Sequence, residues 1–309
     1  MIHDFEKIDY KNRKYKSSKF EFDNSKEMLE YVKNAPINSM FDESNLASKK
    51  YDPHFHDFDT FEDALDALEY GTKIYFENFK KDFKIVKDYI SKISKNKNGS
   101  YKNDVIGFIP IVPNVLRNYP INMINQDKKP KKIPTAKFVI DKTCNSNTNS
   151  VDMCSFYSII FALVQYLENK GTRCEIYVVE ASVEDDEIMV ESLKLKNYMQ
   201  PLNVYKIQFP IISTDYFRRI LFRMVETNPD IRHNVWRYGY GSPLISHFDI
   251  GFSAETNPLA TKIFGLEKDD IFIPSCQIFH YHKGDSLSST IYDIVNNTNL
   301  KKYINVSKK

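Results

Sequence analysis

One segment, residues 137–181, constrains the fold more than any other part of the chain. Residues 137–140 (KFVI) are an apolar run typical of a buried strand, and the run ends at Asp141. After a polar loop, apolar residues recur at helical spacing, and Gly171 stands where a helix C-cap is expected. Residues 173–179 (RCEIYVV) predict a second strand. Strand, helix and strand within about 40 residues are typical of a βαβ unit, which predicts a parallel sheet with a right-handed crossover.

The composition of the chain divides it into three regions. Residues 1–50 are polar and rich in Lys, Asn and Ser, which is typical of a peripheral arm. Residues 51–134 contain two amphipathic helical patterns and then an apolar stretch with three prolines, which we expect to pack as an extended connector against the core. Residues 135–309 are predicted to form an α/β core domain.

The core domain contains further elements downstream. We expect strands at residues 188–196 and 270–274, and helices at residues 214–225 and 288–297. Residues 203–209 fit either a strand or a short helix. The predicted class is therefore α/β, with helical and extended segments packed against it from the N-terminal side.

Charge does not single out one type of partner. The formal net charge is +2, so the whole molecule has no strong field that would attract nucleic acid or an anionic membrane. Lysine-rich runs at residues 11–19 and 128–132 fit a solvated tail and linker, although they could also contact phosphates. A nucleic-acid partner therefore stays open as an alternative.

The spacing of the cysteines and the length of the apolar runs indicate the cellular compartment of the protein. The four cysteines form no CxxC pair and no zinc-finger spacing. The first ten residues are polar and acidic, unlike a signal peptide, and no apolar run approaches the roughly 18 residues that cross a bilayer. We therefore expect reduced thiols, a cytoplasmic setting and no membrane partner. The YGYG run at residues 238–241 lacks the spacing of a nucleotide loop, so no nucleotide cofactor is predicted.

The loop after the first core strand carries the leading candidate site. Its residues Asp141-Lys142-Thr143-Cys144-Asn145 resemble the Asp-x-Ser-x-Ser motif of the metal-ion-dependent adhesion site in the von Willebrand factor A family. The resemblance implies a Rossmann-like or von Willebrand A-like three-layer sandwich with a mostly parallel sheet. It also implies Mg²⁺ held by Asp141, Thr143 and Asn145, because carboxylate, hydroxyl and amide oxygens ligate hard cations. Lys142 would compete with the metal if it pointed inward.

Longer runs carry two further resemblances. The run LVQYLENKGTRCEIYVVE resembles the cobalt-chelatase-type members of the von Willebrand A family. The runs FEDALDAL, GFIPIVPNVLRNYPINM and PLNVYKIQFPIISTDYFRRILFR are similar to a family of uncharacterised phage-encoded proteins. The second resemblance spans most of the chain and implies no established activity.

Two HxH pairs form a second candidate site. His280 and His282 occur in FHYHKGD, and His54 and His56 repeat the spacing in YDPHFHDFD. On a strand, residues i and i+2 face the same side, so each pair could reach one transition metal. The alternative is four separate surface histidines, because no sequence rule brings the two pairs together.

A third candidate is a basic helix face made of Arg218, Arg219 and Arg223. This face could bind phosphates or an acidic partner, or it could simply be exposed to solvent.

Three functions follow from these features. The first is a non-enzymatic interaction module of phage type that uses the Asp141 edge to engage a protein, such as an AAA+ ATPase or a virion component. The second is a metal-dependent enzyme that uses the HxH pairs on a nucleotide or nucleic acid. The third is a nucleic-acid-associated protein that uses the lysine-rich runs. The sequence does not indicate the oligomeric state.

Overall fold

A computed structural model gives the architecture of most of the chain. It describes residues 2–10, 13–35, 56–93, 101–104, 109–110, 112–117, 120–121, 123–126, 133–144, 150–227, 242–243, 258–275 and 287–304.

The strands in chain order are β1 (Ile2–Tyr10), β2 (Arg13–Phe22), β3 (Tyr101–Asp104), β4 (Ile109–Pro110), β5 (Met123–Gln126), β6 (Thr135–Asp141), β7 (Arg173–Glu184), β8 (Glu187–Lys196), β9 (Ser242–Pro243) and β10 (Ile271–Ile273). The helices are α1 (Ser25–Asn34), α2 (Phe61–Tyr70), α3 (Phe76–Ile93), α4 (Val112–Leu116), α5 (Ser150–Asn169), α6 (Val204–Ile212), α7 (Phe222–Thr227), α8 (Pro258–Phe264) and α9 (Leu287–Asn297), with a π-helix at Tyr216–Leu221 and a 3₁₀ helix at Asn299–Lys302. The protein is therefore α/β, as the sequence predicts. No helix in these ranges is long and apolar enough to cross a membrane.

The main sheet has the order β1-β2-β8-β7-β6-β10, and β9 pairs with the far end of β7. Three of its pairings are parallel, namely β2 with β8, β6 with β7, and β10 with β6. The pairings β1 with β2, β7 with β8, and β7 with β9 are antiparallel. The sheet is therefore mixed rather than mostly parallel, because the chain returns from β7 to β8 through a tight hairpin instead of a crossover.

The βαβ unit predicted from residues 137–181 is present. β6 and β7 pair in parallel from Thr135 opposite Arg173 to Asp141 opposite Val179, and α5 connects them. Gly171 follows this helix with a φ of 86°, the left-handed conformation that favours glycine at a helix end.

Residues 2–10 and 13–22 belong to the main sheet and form one edge of it, although their polar composition is typical of a peripheral arm. β2 pairs with β8 over seven residues, and Phe20 lies opposite Glu191. On β2, the side chains of Phe20 and Phe22 are buried against α1 and the core. Burial on one strand face, together with backbone pairing to β8, offsets the polar composition of this segment.

Helices pack against both faces of the main sheet. On one face, Phe138, Ile176 and Leu193 pack in a large core against α1, α2, α3, α5, α6 and α9. On the other face, Val139 and Val190 pack in a smaller core with α8. The described residues of the proline-containing stretch form short elements. β4 and β5 belong to a separate small sheet of the order β3-β5-β4, and the apolar side chains Val112, Val115 and Leu116 of α4 are exposed.

Candidate functional site

Asp141 lies at the carboxyl end of β6 and is completely buried. Its Oδ1 accepts a hydrogen bond of 2.9 Å from the backbone N–H of Thr143, and its backbone carbonyl accepts one of 2.9 Å from the Tyr157 hydroxyl. Burial raises the pKa of the Asp141 carboxyl to about 7, although hydrogen bonds from Thr143 and from the backbone of Ser275 oppose this shift. Asp141 therefore holds its own loop in place and is only partly ionised near neutral pH.

Thr143 and Ser275 extend this arrangement to the neighbouring strands. The Thr143 hydroxyl accepts a hydrogen bond of 2.9 Å from the backbone N–H of Ala181 on β7. The Ser275 hydroxyl, just beyond β10, donates to the backbone carbonyl of Thr143. The polar atoms at the carboxyl ends of β6 and β10 therefore tie three neighbouring strands together at this edge.

These residues do not by themselves fit a Mg²⁺ site. Asp141 Oδ2 is buried and has no hydrogen-bond partner among the described residues, so it is one available ligand. The Thr143 hydroxyl is turned toward Ala181, and Asn145 lies outside the described residues. Where side chains are described, no three His, Cys, Asp or Glu residues converge as metal ligands would. Mg²⁺ at Asp141, Thr143 and Asn145 stays a prediction.

Lys142 points inward, and its side chain is completely buried. Its Nζ donates a hydrogen bond to the backbone carbonyl of Ser213 and lies 4.7 Å from the centre of the Tyr216 ring. Burial lowers the pKa of the Lys142 ammonium to about 8, whereas Glu180 acts to raise it. The ammonium therefore faces the α1, α6 and π-helix side of the sheet and not the atoms that hold Asp141.

Two glutamates lie on the same side of the sheet as Lys142. Glu180 on β7 and Glu191 on β8 are directly opposite each other in the antiparallel register, and both are buried. The Tyr216 hydroxyl donates a hydrogen bond of 2.9 Å to Glu191 Oε1. We call Lys142, Glu180, Glu191 and Tyr216 the buried charge cluster.

The pKa values of both glutamates in this cluster lie above the usual range of a carboxyl group. Burial raises the pKa of Glu191 to about 8. Burial, and then the charge of Glu191, raise the pKa of Glu180 well above its usual range. Like charges held opposite each other away from water disfavour double ionisation, so the two carboxyl groups retain protons at neutral pH.

A second polar arrangement joins the loop before α2 to the N-terminal end of the π-helix. Asp215 Oδ2 accepts hydrogen bonds of 2.6 and 2.7 Å from the backbone N–H groups of Asp57 and Phe58. In return, Asp57 Oδ2 accepts bonds from the Ser213 hydroxyl and from the backbone N–H of Thr214, at 2.8 and 3.1 Å. We call these two segments, residues 56–59 and 213–215, the aspartate clamp.

His56 is the one member of the two HxH pairs within the described residues, and it is buried. Its Nδ1 lies 2.6 Å from Asp215 Oδ1. His54, His280 and His282 lie outside the described residues, so convergence of the pairs is not tested.

The basic helix face is not exposed as a unit. Arg219 is completely buried and Arg223 nearly so, whereas Arg218 is half-buried. Arg219 Nε donates a hydrogen bond of 2.8 Å to Asp215 Oδ1, and its Nη2 donates one of 3.0 Å to the Phe58 carbonyl. The prediction of an exposed arginine surface is therefore wrong for Arg219 and Arg223. Arg219 donates a hydrogen bond to Asp215 of the aspartate clamp, and both arginine side chains are buried.

The hairpin between β7 and β8 projects beyond the buried end of β6. β6 stops opposite Val179, whereas β7 continues for five more residues to Glu184. At about 3.3 Å per residue the tip extends roughly 16 Å past Asp141. Asp185 and Asp186 at the tip are exposed, and Asp185 has a φ of 51°. We call residues 184–187, which are all acidic, the hairpin tip.

Glu180, Glu191, Asp57 and Asp215 are not among the residues that the sequence singles out as candidate site residues. A signal for the glutamates is present in the sequence. Glu191 alternates with Met189 and Leu193, so a carboxylate occupies a position on the apolar face of its strand. No local pattern indicates the aspartate clamp, because its two halves are more than 150 residues apart.

Comparison with known proteins gives one match. A family model described as a domain of unknown function, DUF7192, matches residues 8–302. No curated protein and no solved structure matches the chain.

Proposed function

We propose that this chain, which belongs to the DUF7192 family, is a non-enzymatic protein-interaction module with a von Willebrand A-like core. It engages a protein partner at the edge of the sheet where β6 ends. A phage-encoded source, and a partner such as an AAA+ ATPase or a virion component, belong to the same proposal.

The observation that carries this proposal is the contrast between the buried and the exposed groups at that edge. Asp141 Oδ1 and the hydroxyl groups of Thr143 and Ser275 bind the chain's own backbone, so these atoms fix loops. The hairpin tip extends past them and exposes Asp185 and Asp186. Surface loops held on a rigid sheet are a common basis of recognition, and a carboxylate-bearing tip fits a partner surface rich in Lys or Arg.

The core strands support the von Willebrand A-like part of the proposal. The unit β6-α5-β7 is parallel, β10 pairs in parallel with the other side of β6, and helices cover both faces. Asp141 stands at the carboxyl end of β6, the position that the adhesion-site motif occupies in that family. The antiparallel β8 and the added β1-β2 hairpin distinguish this sheet from a purely parallel one.

Co-purification from the source cells tests the interaction. The tagged full chain is compared with the tip variant Asp185→Lys/Asp186→Lys and with a matched control, Asp66→Lys, at an exposed position on α2. We expect one defined protein to co-purify in constant ratio with the parent and the control, and to be lost with the tip variant. Loss of the partner from the control as well, or retention by the tip variant, contradicts the proposal. The same holds if no protein co-purifies in constant ratio.

A metal-dependent enzyme is the second candidate, and one observation favours it. His56 directs Nδ1 at a buried carboxylate, which is how metal-ligating histidines are commonly oriented. Elemental analysis of the desalted full chain, incubated beforehand with Mg²⁺, Mn²⁺ or Zn²⁺, distinguishes the two candidates. Retention of about one metal ion per chain that His56→Ala abolishes favours the enzyme, whereas the interaction module predicts that His56→Ala leaves the partner bound.

A further inference from the structure

In the buried charge cluster, each glutamate has one carboxylate oxygen that lacks a hydrogen bond among the described residues. Glu180 Oε2 and Glu191 Oε2 are buried and have no partner among the described residues. Lys142 forms no direct ion pair with either glutamate in the described part of the chain, although its charge acts on both. A charged carboxylate without hydrogen-bond donors is costly inside a protein, whereas a protonated one costs much less.

The cluster is covered by two elements that meet at Tyr216. The Tyr216 hydroxyl binds Glu191 and lies 3.4 Å from the sulfur of Met28 on α1. Lys142 binds the carbonyl of Ser213, the residue that precedes the segment leading into the π-helix. All four cluster side chains are buried, and Tyr216 of the π-helix and Met28 of α1 lie over Glu191, so movement of either helix away from the sheet would let water reach that glutamate.

We propose that this cluster is a proton-operated latch, which holds α1 and the π-helix against the sheet while Glu180 and Glu191 carry protons and loosens both helices when these carboxyl groups ionise. The released protons pass to solvent. The inference concerns the chain alone and does not depend on the proposed partner.

The groups around the glutamates define the charge balance of the latch. Asp141 at the end of β6 acts on Glu180, and Asp57 and Cys144 act on Lys142. Across the sheet, β2 places Phe20 opposite Glu191, and α1 contributes Met28, neither of which titrates. The cluster therefore has one ammonium for two glutamates.

The direction of the switch follows from this balance. Burial raises the pKa of Glu191 to about 8, and burial followed by the charge of Glu191 raises the pKa of Glu180 well above its usual range. Raising the pH through about 8 therefore ionises Glu191 first, and its carboxylate then lies opposite Glu180 with no hydrogen-bond donor on Oε2. A buried carboxylate that lacks donors is costly, so the covering helices open and admit water.

Hydrogen–deuterium exchange of the full chain tests the latch at about pH 6 and about pH 8.5, after correction for the pH dependence of intrinsic exchange. We expect protection of residues 25–34 and 213–221 to fall at least about tenfold at the higher pH, while α2 keeps its protection. Glu191→Gln, which cannot ionise, should keep both segments protected at both pH values. Glu175→Gln, a half-buried position on β7, should behave as the parent does.

Several outcomes overturn the latch. The first is protection of α1 that does not change with pH. The second is a loss of protection that is equal in every element. The third is a fall in the protection of α1 in Glu191→Gln that is as large as in the parent. If Glu191→Gln does not fold, Glu180→Gln replaces it. If neither variant folds, the difference in protection between α1 and α2 of the parent protein at the two pH values still tests the latch.

Discussion

Asp57 and Asp215 each bind the backbone of the segment that carries the other. Asp215 accepts from the N–H groups of Asp57 and Phe58, and Asp57 accepts from the N–H of Thr214. This reciprocal arrangement fixes the loop before α2 to the N-terminal end of the π-helix. The π-helix also contributes Tyr216 to the buried charge cluster. The aspartate clamp therefore fixes the position of the helix that covers this cluster.

Asp215→Asn is expected to destabilise the protein strongly. Asp215 is the carboxylate that meets the buried Arg219 Nε at 2.8 Å, and it also accepts bonds from two backbone N–H groups. Removing one charge of a buried ion pair costs about 3 kcal/mol or more in the free energy of unfolding. Urea denaturation measures this loss. The control Asp59→Asn changes an exposed carboxylate in the same loop and should cost less than about 0.5 kcal/mol.

Glu191→Gln should stabilise the protein at high pH only. The pKa of Glu191 is raised from 4.5 to about 8 by burial, so between these values the folded state binds more protons than the unfolded state. The contribution of Glu191 is therefore fully favourable below about pH 4.5 and is lost as the pH rises toward 8. We expect equal stability of parent and variant near pH 4.5, and an advantage of about 2 kcal/mol or more for the variant near pH 8. A difference that does not change with pH contradicts the assignment.

Gly71→Ala should cost more than Gly171→Ala, although both glycines have similar backbones. Their φ values are 88° and 86°, so alanine is strained at either position. At Gly71 an added Cβ would lie 2.7 Å from the carbonyl carbon and oxygen of Tyr205, whereas at Gly171 nothing lies within 4 Å. We expect losses of about 3 kcal/mol and about 1 kcal/mol respectively in the free energy of unfolding. Equal losses would show that α2 and α6 do not approach each other as closely as described.

The thiols of Cys144, Cys154 and Cys174 should resist modification in the folded protein. All three are buried, and burial raises the pKa of Cys174 to about 12, which leaves almost no thiolate at neutral pH. In a Cys276→Ser background we expect labelling by a disulfide reagent to be at least about 100-fold slower in buffer than in denaturant. Fast reaction of one thiol in buffer contradicts the burial of that residue.

The parts of the fold that follow from local patterns are predictable from the sequence. The periodicity of residues 137–181 predicts the βαβ unit, and the local Thr60 and Asp63 form a capping box at the start of α2. β2 escapes prediction because its residues are polar by composition, and only pairing with β8 gives half of them a buried environment.

The polar interior is less predictable, because each of its contacts joins distant segments. Arg219 on a helix next to Arg218 suggests an exposed basic face until the buried Asp215 and the Phe58 carbonyl are known. The sequence leaves open whether Lys142 points inward, and only the positions of Ser213 and Tyr216 show where its ammonium lies. Conversely, the apolar run before Asp141 predicts its position at a strand end, and the structure places it there with Oδ1 bound to the backbone of its own loop.

The pairing of β2 with β8 has a consequence for the order in which the protein is made. Residues 13–22 leave the ribosome well before the strand that they pair with in parallel, which begins at Glu187. During synthesis of about 170 residues, at roughly 5 to 20 residues per second, the β1-β2 hairpin has no sheet to join. A nascent chain of this protein therefore carries an incomplete sheet edge for several seconds or longer, and its yield in cells should respond to translation speed and to chaperones that bind exposed strands.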